Sequence, residues 1–314
     1  MVFFIVQMYE IVWYKQKYGL FLFMKDSLED RMKAYYEDRS RIYLPRRTYT
    51  VIRIDGKAFH TYTNGCTRPF DEALIKDMDE TTLFLCQNVQ NTKLAYVQSD
   101  EISLILTDFD KLTTASWFDG NVQKMTSIAS SLATSKFNQL RTERILTDSW
   151  KSYVYGRGQD DEPFFLNWDF TVALNKIKLA QFDARVFTVP SREEVINYLI
   201  WRQQDATRNS ISMVAQSMYS HKELNKKSTD DMQEMIFQKG QNWNNYPVGQ
   251  KRGRLIVKQE KMVEIENPIL AFKESLITYE DGKAYVKRDK WSVTDPVVFT
   301  QGKDFLREQI PSMD

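Results

Sequence analysis

Two short segments of the chain place carboxylate side chains directly after β-rich runs. Asp55 and Gly56 follow the first run, and Asp100 follows the second. Two carboxylates on neighbouring strand ends can hold a pair of Mg²⁺ ions about 3.5–4 Å apart, and such a pair drives in-line phosphoryl or nucleotidyl transfer. Oxygen ligands suit this hard cation, and the Gly56 carbonyl could supply one more. The sequence therefore predicts a two-Mg²⁺ site at Asp55, Gly56 and Asp100.

Each of these carboxylates also has a purely structural interpretation. Asp is common after strands because its side chain can cap a turn, so either Asp55 or Asp100 alone would favour that role. Their occurrence together, on strands that the element order makes neighbours, favours the metal site. Glu101 follows Asp100 directly and is the third candidate catalytic residue. It could be a metal ligand or a group that supports the ligands.

Several polar residues near these carboxylates could bind a triphosphate. Lys57 and His60 lie in a loop that enters a helix, where backbone N–H groups can meet phosphate. Arg68 and Lys124 are candidate triphosphate clamps, and Ser99 could hydrogen-bond a phosphate. Structural alternatives stay open, because His60 could be an internal histidine and Ser99 could cap its turn. Arg68 and Lys124 could equally be solvated surface charges.

Hydrophobic periodicity predicts the elements that position these residues. Strand and helix patterns follow one another in the order β-α-β-β-α-β. The predicted segments are a strand at 48–54, a helix at 71–91, strands at 93–98 and 102–107, a helix at 121–138 and a strand at 185–189. This order predicts an α+β, ferredoxin-like fold, which is also the palm of many polymerases. We further expect an insertion at 141–181 and a mainly helical C-terminal extension, which begins with a helix from Ser191.

Composition excludes several function classes. With 314 residues, the chain can form one large domain or two modest ones. Cys66 and Cys86 provide neither a disulfide framework nor a zinc quartet, and they predict a reducing, cytoplasmic environment. His60 and His221 are the only histidines, which nearly excludes a multi-histidine metal site. The formal net charge is +1, so a nucleic acid would need a local basic surface.

Two basic runs are candidates for such a surface. The first is at 46–47 and the second at 251–258, and both have aromatic neighbours, namely Tyr43, Tyr49, Trp243 and Tyr246. Positive charge binds phosphate while aromatic rings stack on unpaired bases. Because charge runs are usually only solvated faces, this pattern is a weak indication of RNA binding.

The first 23 residues are rich in apolar side chains, yet Glu10, Lys15 and Lys17 interrupt them. No apolar run reaches the roughly 20 residues that a membrane span requires, and the segment lacks the form of a signal peptide. We therefore predict no membrane association. Met24 precedes an ordinary capping-box pattern, so residues 1–23 are expected to be an upstream extension of the reading frame. The alternative is an extra element packed on the fold.

At these residues the chain resembles the tRNA-His guanylyltransferase superfamily. The family's D-G-(K/R)-x-F-H block stands at 55–60, and its Y-x-Q-S-D-E block stands at 96–101. Further similarities lie at 182–186, 190–191, 198–205 and 244–253. The resemblance covers about residues 25–258. It implies a palm catalytic domain at 24–190, a family C-terminal region at 191–258 and an unassigned tail at 259–314, with 1–23 as the extension.

The resemblance implies a Mg²⁺-dependent nucleotidyltransferase that adds nucleotides to the 5′ end of tRNA in the 3′→5′ direction. ATP would adenylylate a 5′-monophosphate, and the 3′-hydroxyl of GTP would then displace AMP. Two Mg²⁺ ions would be held by Asp55, the Gly56 carbonyl and Asp100. The residues that would hold the nucleoside triphosphate are Asp55, Gly56, Lys57, Ala58, Phe59, His60, Ser99 and Asp100. The family also implies a homo-oligomer, often a tetramer.

One segment departs from the family pattern. Eukaryotic guanylyltransferases carry a His-Ile-Asn-Asn block, which is tied to the addition of an extra G to tRNA-His. Here the same place reads Thr207-Arg208-Asn209-Ser210, so only Asn209 is retained. The chain therefore looks more like the guanylyltransferase-like branch of the family, which prefers template-directed repair of 5′-truncated tRNAs. This departure argues against obligatory G addition to tRNA-His.

Two other functions are compatible with parts of the pattern. A palm-type nucleotide cyclase shares the strand-end carboxylates but needs no RNA, so a dependence of nucleotide turnover on tRNA would distinguish it. A non-catalytic RNA-binding protein could keep the fold without the activity. Asp55, Gly56, Ser99 and Asp100 are all intact, which disfavours an inactive copy.

Overall fold

The computed structural model describes residues 27–155, 177–265, 277–281 and 283–313. It separates into an N-terminal unit that ends at Ile42 and a main unit that begins at Tyr43. The predicted extension at 1–23 lies outside the described residues. Within them, no helix has both the length and the apolar character needed to cross a membrane.

The described part of the N-terminal unit is a short helical segment. Helix α1 spans Leu28–Met32, and the Ser27 side chain accepts a hydrogen bond of 3.0 Å from the Asp30 backbone N–H, as the capping pattern predicts. The chain continues as a wider turn at Lys33–Glu37 and a 3₁₀ turn at Asp38–Ser40. None of the residues in these three elements is buried.

The first part of the main unit is an antiparallel sheet. Its strands are β1 at Tyr49–Gly56, β2 at Thr92–Gln98, β3 at Glu101–Thr107 and β4 at Phe182–Val189. They lie in the order β4-β1-β3-β2, and every neighbouring pair is antiparallel. Helices and an antiparallel sheet thus combine in one unit, as the α+β prediction requires. The predicted strands are all present, with ends that differ by a few residues.

Helices cover both faces of this sheet. Helices α2 at Phe59–Tyr62, α3 at Glu72–Asn88 and α4 at Val122–Tyr155 contribute to the core on one face, and helix α5 at Arg192–Gln216 packs on the other. Alternate residues of β1 enter the two cores: Ile52 and Ile54 pack with the first group of helices, and Val51 packs with α5. Because both faces are buried, β2 and β3 contain long apolar runs.

Helix α4 continues beyond the predicted end at 138, so residues 141–155 belong to it and not to an insertion. An ion-pair cluster joins the first turn of this continuation to α3. Arg141 and Arg144 lie on one helical face, and both bind the fully buried carboxylate of Asp77 on α3. The remainder of the predicted insertion, at 156–176, lies outside the described residues.

Among the described residues, the predicted mainly helical C-terminal extension contains helices and also three strands that the sequence analysis does not predict. Strands β5 at Arg254–Ile265, β6 at Ile277–Glu280 and β7 at Lys283–Thr294 continue the sheet beyond β2 in the order β5-β7-β6. They accompany helices α6 at His221–Leu224, α7 at Thr229–Gln238, α8 at Val248–Arg252 and α9 at Lys303–Gln309. Only the first four residues of β5 are buried, so the rest shows no alternation from which a strand could be recognised.

The segment after 259 is integrated into the main unit. Phe299, Leu306 and Ile310 are buried in the same core as α5. The Tyr49 hydroxyl, on the first residue of β1, donates a 2.8 Å hydrogen bond to the carbonyl of Pro311. The C-terminal segment therefore completes the core on the α5 side of the sheet.

Candidate active site

A cavity of about 590 Å³ opens at the edge of the sheet where β1 ends and the β2–β3 turn lies. Its walls come from the end of β1, the loop between α2 and α3, the β2–β3 turn and the C-terminal half of α5. The lining residues are Asp55, Gly56, Ala58, Phe59, His60, Thr63, Cys66, Thr67, Arg68, Pro69, Asp71, Leu74, Ser99, Asp100, Asn209, Ser212, Met213 and Gln216. Eight of the residues predicted from the sequence therefore meet in one cavity.

The two predicted metal-binding carboxylates reach the cavity from adjacent strands. Asp55 is near the end of β1, where its Cα pairs with that of Glu101 on β3. Asp100 belongs to the two-residue turn, Ser99-Asp100, that joins Gln98 to Glu101. Because β1 and β3 are antiparallel neighbours, the end of one strand lies beside the beginning of the other. The topology thus brings Asp55 and Asp100 to the same sheet edge.

Gly56 makes the close approach of Asp100 to the backbone possible. A Cβ atom on Gly56 would lie 2.9 Å from Oδ2 of Asp100 and 2.3 Å from Cδ2 of Phe59. Both distances are shorter than van der Waals contact, so a side chain at this position would displace the carboxylate or the ring. Glycine is therefore required here by space, and the Asp100 carboxylate lies against the backbone that precedes α2.

The electrostatic environment of Asp100 is unusual for a surface carboxylate. Burial raises the pKa of Asp100 to about 6, and the nearby Asp55 carboxylate contributes in the same direction. A hydrogen bond from its own backbone N–H and another from Ser99 oppose the shift. Among the described residues, no lysine or arginine is one of the main influences on this pKa. A divalent cation at this position would supply the missing positive charge.

Two residues of the cavity wall have a strained backbone. Ala58 has φ 51° and Ser99 has φ 46°, which is the left-handed region that side chains other than glycine rarely adopt. Ala58 precedes α2, and Ser99 begins the turn that carries Asp100. Such strain is concentrated at functional sites, where surrounding structure holds the residue in place. This backbone strain occurs both in the segment after β1 and in the β2–β3 turn, the two segments that carry predicted ligands.

Phe59 lines the cavity but is mainly a core residue. Its side chain is buried, and its ring centroid lies 4.9–5.7 Å from those of Tyr62, Phe137 and Phe182. This aromatic cluster anchors the loop after β1 to the long helix α4. His60 is exposed on the other side of the loop, and its Nε2 lies 3.1 Å from the Thr61 hydroxyl.

Two of the predicted triphosphate-binding residues lie outside the cavity. Lys57 is directed to Gln181, which accepts a 2.8 Å bond from the Lys57 backbone N–H and a 3.2 Å bond from its side chain. Lys124 is at the first turn of α4, close to Gly120, whose carbonyl binds the N–H of Leu44 ahead of β1. It therefore lies at the edge where β1 begins, about 20 Å along the strand from Asp55. Lys124 is not among the residues that line the cavity, so its role as a triphosphate clamp has no support in this geometry and stays a prediction.

Glu101 does not reach the cavity. Its two carboxylate oxygens accept 2.6 Å hydrogen bonds from Nε and Nη2 of Arg202 on α5. Arg202 also binds Asp205 at 2.9 Å, and only 7% of its side chain is exposed. Because both oxygens are used, Glu101 is positioned to support the turn that carries Asp100 rather than to bind a metal directly. Its role as a catalytic group in contact with the substrate has no support in this geometry.

Helix α5 contributes a wall that the sequence patterns do not predict. Asn209, Ser212, Met213 and Gln216 recur at helical spacing on one face and line the cavity. Upstream, the buried residues of the same helix are mostly apolar, including Val195 and Leu199. Polar residues on the face beside the buried Ile211, Val214 and Ala215 are the signal that could identify this wall. Of these residues, only Asn209 is marked in the sequence, through its resemblance to the family block.

Two of the four cations in the basic run at 251–258 are buried. Lys251 is buried, and its Nζ donates a 2.6 Å hydrogen bond to the Asn244 carbonyl. Arg254 is also buried, and it forms a 2.7 Å ion pair with Asp79 on α3. Tyr49, a candidate stacking neighbour in the sequence, is 1% exposed. The prediction of RNA contact through this run is therefore wrong for its two buried cations.

The donor set of the cavity is small. Among the described residues, no group of three or more His, Cys, Asp or Glu side chains is arranged to hold a metal ion. Asp55, Asp100 and the backbone at Gly56 provide only two carboxylates and carbonyl oxygen. Mg²⁺ usually keeps several waters and is bound through one or two carboxylates together with substrate phosphates. This donor set fits a cation that arrives with a nucleoside triphosphate.

Comparison with known proteins gives a consistent result. A family model described as tRNAHis guanylyltransferase matches residues 29–190. A structure of a bacterial tRNA-His guanylyltransferase-like protein in complex with ATP is 38% identical, covers 91% of this chain and 99% of that chain, and has a TM-score of 0.69. A structure of such a bacterial protein in complex with GTP is 37% identical, covers 90% and 99% of the two chains, and has a TM-score of 0.64.

Curated relatives extend this result to eukaryotes and a virus. The tRNA(His) guanylyltransferase of Saccharomyces cerevisiae is 26% identical over 71% of this chain and 88% of its own length. An uncharacterized protein of Acanthamoeba polyphaga mimivirus is 28% identical over 90% of this chain and 96% of its own length. This chain belongs to the tRNA-His guanylyltransferase family, whose members are nucleotidyltransferases.

Proposed function

We propose that this member of the tRNA-His guanylyltransferase family is a Mg²⁺-dependent enzyme that extends the 5′ end of tRNA in the 3′→5′ direction. The similar bacterial proteins bind ATP in one structure and GTP in another. Both nucleotides fit the roles that the family implies, ATP for activation of the 5′-phosphate and GTP for addition. The cavity beside Asp55 and Asp100 is the proposed site of both reactions.

The observation that carries the proposal is the arrangement of two carboxylates around Gly56. Asp55 and Asp100 face one cavity from adjacent strands, and Gly56 leaves room for the Asp100 carboxylate against the backbone. In the described part of the chain, no lysine or arginine is a main influence on the pKa of Asp100. We assign Asp55, the Gly56 carbonyl and Asp100 as the metal ligands. Bound there, Mg²⁺ would activate the attacking hydroxyl and stabilise charge on the leaving group.

The other cavity residues would bind and orient the substrates. Arg68 is the positively charged side chain of the cavity wall and would pair with the triphosphate. His60 and Ser99 can donate hydrogen bonds to phosphate oxygens, and the backbone at Ala58 lies beside them. In the first reaction, the 5′-phosphate of tRNA would attack ATP and release pyrophosphate. In the second, the 3′-hydroxyl of the incoming nucleotide would displace AMP.

We propose template-directed repair rather than obligatory G addition as the preferred reaction. Asn209, the residue retained from the His-Ile-Asn-Asn block, lines the cavity, whereas Thr207 and Arg208 do not. Watson–Crick pairing with the opposite strand of the acceptor stem would then select the nucleotide. The strand order β4-β1-β3-β2 with its carboxylates at one edge supports a polymerase-type palm. A homo-tetrameric, cytoplasmic protein stays a prediction from the family resemblance and from the cysteine content.

The test is extension of a labelled tRNA that lacks its 5′ nucleotide, with ATP, Mg²⁺ and the four nucleoside triphosphates. Full-length tRNA-His serves as the second substrate. We expect growth that follows the opposing base and stops at a complete acceptor stem. Growth of tRNA-His alone, by G, would contradict the repair preference. If neither RNA is extended and nucleotide turnover is independent of tRNA, the cyclase alternative replaces the proposal.

Matched variants test the site itself. We expect Asp55→Asn and Asp100→Asn to lower the extension rate by about 10³-fold, which is roughly 4 kcal/mol of transition-state stabilisation. Asp183 provides the control, because it pairs with Asp55 in register on β4, is exposed and does not line the cavity. Asp183→Asn should therefore stay within about twofold of the wild-type rate. Equal losses in all three variants would reject the assignment.

A further inference from the structure

The outer part of the C-terminal sheet has two chemically different faces. We call residues 258–265 of β5 and 283–291 of β7 the outer ribbon, in which the two strands pair from Lys258 opposite Trp291 to Ile265 opposite Ala284. Side chains of successive residues point to opposite faces. Residues 258–262 and 287–290 are exposed on both faces, whereas Val263, Ile265, Ala284 and Val286 are buried or partly buried.

One face of the outer ribbon, the mixed face, contains charges that neutralise each other. Glu260 forms a 2.8 Å ion pair with Lys287, and Glu264 forms a 3.0 Å ion pair with Lys283. Lys258 lies 5.2 Å from the ring centroid of Trp291. Each positive side chain on this face therefore has a partner within the ribbon. The face carries three positive and three negative side chains, so its charges balance, although Glu260 lies directly opposite Asp289.

The opposite face, the cationic face, has the reverse arrangement. Lys261 is directly opposite Arg288, and Gln259 is directly opposite Lys290 on the next pair of that face. Every acidic residue of the ribbon points to the mixed face, because Glu260, Glu264 and Asp289 occupy the alternate positions. Like charges directly opposite each other destabilise a strand pair. The cationic face therefore lowers stability unless an anion binds to it.

The cationic face lies on the same side of the sheet as α5, which forms one wall of the cavity. Leu255 and Val257 of β5 pack in the core that contains α5, so Gln259 and Lys261 face the same side of the sheet. Asn209 of α5 lines the cavity on that side. Arg254, at the start of β5, pairs with Val97, which lies two residues before Ser99 of the cavity wall. Lys261 lies seven residues farther along β5, which is about 24 Å at 3.4 Å per residue. A ligand that contacts both the cavity and the cationic face must span roughly this distance and carry negative charge at its far end.

We propose that the cationic face binds the phosphate backbone of the double-stranded part of the substrate tRNA, away from its reacting 5′ end. This inference rests on the proposed function for the identity of the RNA. With a formal net charge of +1, the chain has no general positive field to hold a nucleic acid, so a local cluster must do so. The three cations Lys261, Arg288 and Lys290 form this cluster. Contacts from such side chains to phosphate position an RNA without reading its base sequence.

The ribbon provides its own matched control. One triple variant replaces the cationic face, Lys261→Gln with Arg288→Gln and Lys290→Gln. The other replaces the mixed face, Lys258→Gln with Lys283→Gln and Lys287→Gln. Both remove three positive charges from the same two strands, so any effect of net charge alone is equal. Binding of a 5′-truncated tRNA is measured by fluorescence anisotropy at salt concentrations from about 50 to about 200 mM, a range over which phosphate binding changes strongly.

We expect the cationic-face triple variant to bind the tRNA about tenfold or more weakly at about 100 mM salt. The slope of log affinity against log salt should fall by about 2–3, roughly one for each phosphate that is no longer neutralised. The mixed-face triple variant should stay within about twofold of wild type. At saturating tRNA, both triple variants should extend it at the wild-type rate, because neither changes the cavity. Single Lys261→Gln should not lower the unfolding midpoint, since it removes a repulsive pair.

Equal reductions of affinity in the two triple variants, or no reduction in either, would overturn the proposal. So would unchanged tRNA binding together with cationic-face-dependent binding to vesicles that contain phosphatidylserine, which would identify a membrane surface instead. Failure of the proposed function gives a different pattern. In that case wild-type protein would not extend any tRNA, whatever the two triple variants bind.

Discussion

Asp77 and Asp100 are two carboxylates of the main unit whose charged surroundings are opposite. Asp77 is fully buried on α3 and is bound by both Arg141 and Arg144 of α4. Asp100 faces the cavity and has a pKa raised to about 6, and no described lysine or arginine is a main influence on it. The chain thus supplies positive charge where a carboxylate is structural. At Asp100 it leaves a charge that an external cation can neutralise.

The largest expected effect on stability is at Asp77. Asp77→Asn removes the charge that pairs two arginines, one of them with a side chain only 15% exposed, and leaves them without compensation. We expect the free energy of unfolding to fall by about 3 kcal/mol, measured by urea denaturation. Asp183→Asn is the exposed control and should change this free energy by less than about 0.5 kcal/mol. An unchanged stability of Asp77→Asn would remove the contrast with Asp100.

The next effect concerns Gly56. Gly56→Ala places a methyl group against Asp100 and Phe59, so either the carboxylate or the ring must move. We expect the extension rate to fall by about 30–100-fold, which corresponds to roughly 2–3 kcal/mol. Gly65→Ala is a useful control, since nothing lies within 4 Å of its added atom. It has φ +96°, so it should cost some stability but little activity. A fully active Gly56→Ala protein would contradict the claim that activity requires the Asp100 carboxylate to lie against the backbone at Gly56.

A third prediction concerns the pH dependence of stability at Asp100. Its pKa in the folded protein, about 6, is above the ordinary value of 3.8. The associated stability is therefore complete below about pH 3.8 and is lost as the pH rises through 6. Without metal, Asp100→Asn should be more stable than wild type at about pH 8 by about 1–3 kcal/mol, and this difference should vanish near about pH 4. A constant difference across this range would show that Asp100 is not destabilised by its surroundings.

The smallest effect concerns Glu101, for which the sequence leaves two roles, a metal ligand or a group that supports the ligands. If Glu101 only holds Arg202 and the Asp100 turn, Glu101→Gln should keep part of the hydrogen bonding. We then expect the extension rate to fall about tenfold, or by roughly 1.4 kcal/mol, with Mg²⁺ affinity nearly unchanged. Arg202→Lys should show a similar decrease, because lysine cannot reproduce the two-pronged contact. A decrease of about 10³-fold confined to Glu101→Gln, with weakened Mg²⁺ binding, would make Glu101 a ligand.

Much of the carboxylate edge is predictable from sequence. Asp55 and Asp100 follow strands whose order can be inferred from periodicity, and an antiparallel arrangement then brings them together. Glu101 and Lys124 show the limit of this reasoning. Whether Glu101 faces the cavity or α5 depends on a partner, Arg202, that lies 101 residues away in the chain. Lys124 is a candidate by charge alone, and it lies near the end of the sheet where β1 begins, away from the site.

The C-terminal region is less predictable for a physical reason. The outer half of β5 and β7 is a ribbon with solvent on both faces, so its polar residues show no period of two that burial would impose. The run around Lys251 and Arg254 gives the opposite error, because its charges predict an exposed surface although both side chains are buried. Those cations are internal because Asn244 and Asp79 satisfy them, and such pairing leaves no mark in the local sequence.

The most direct test of the central account is the effect of Mg²⁺ on thermal unfolding at about pH 7.5, with ATP in every sample and without RNA. A cation that binds only the folded protein raises the unfolding midpoint. We predict a rise of about 2–4 °C for wild type and for Asp183→Asn, and no rise for Asp55→Asn or Asp100→Asn. An equal rise in all four proteins would contradict the account, because Mg²⁺ would then bind somewhere other than the two carboxylates at Gly56.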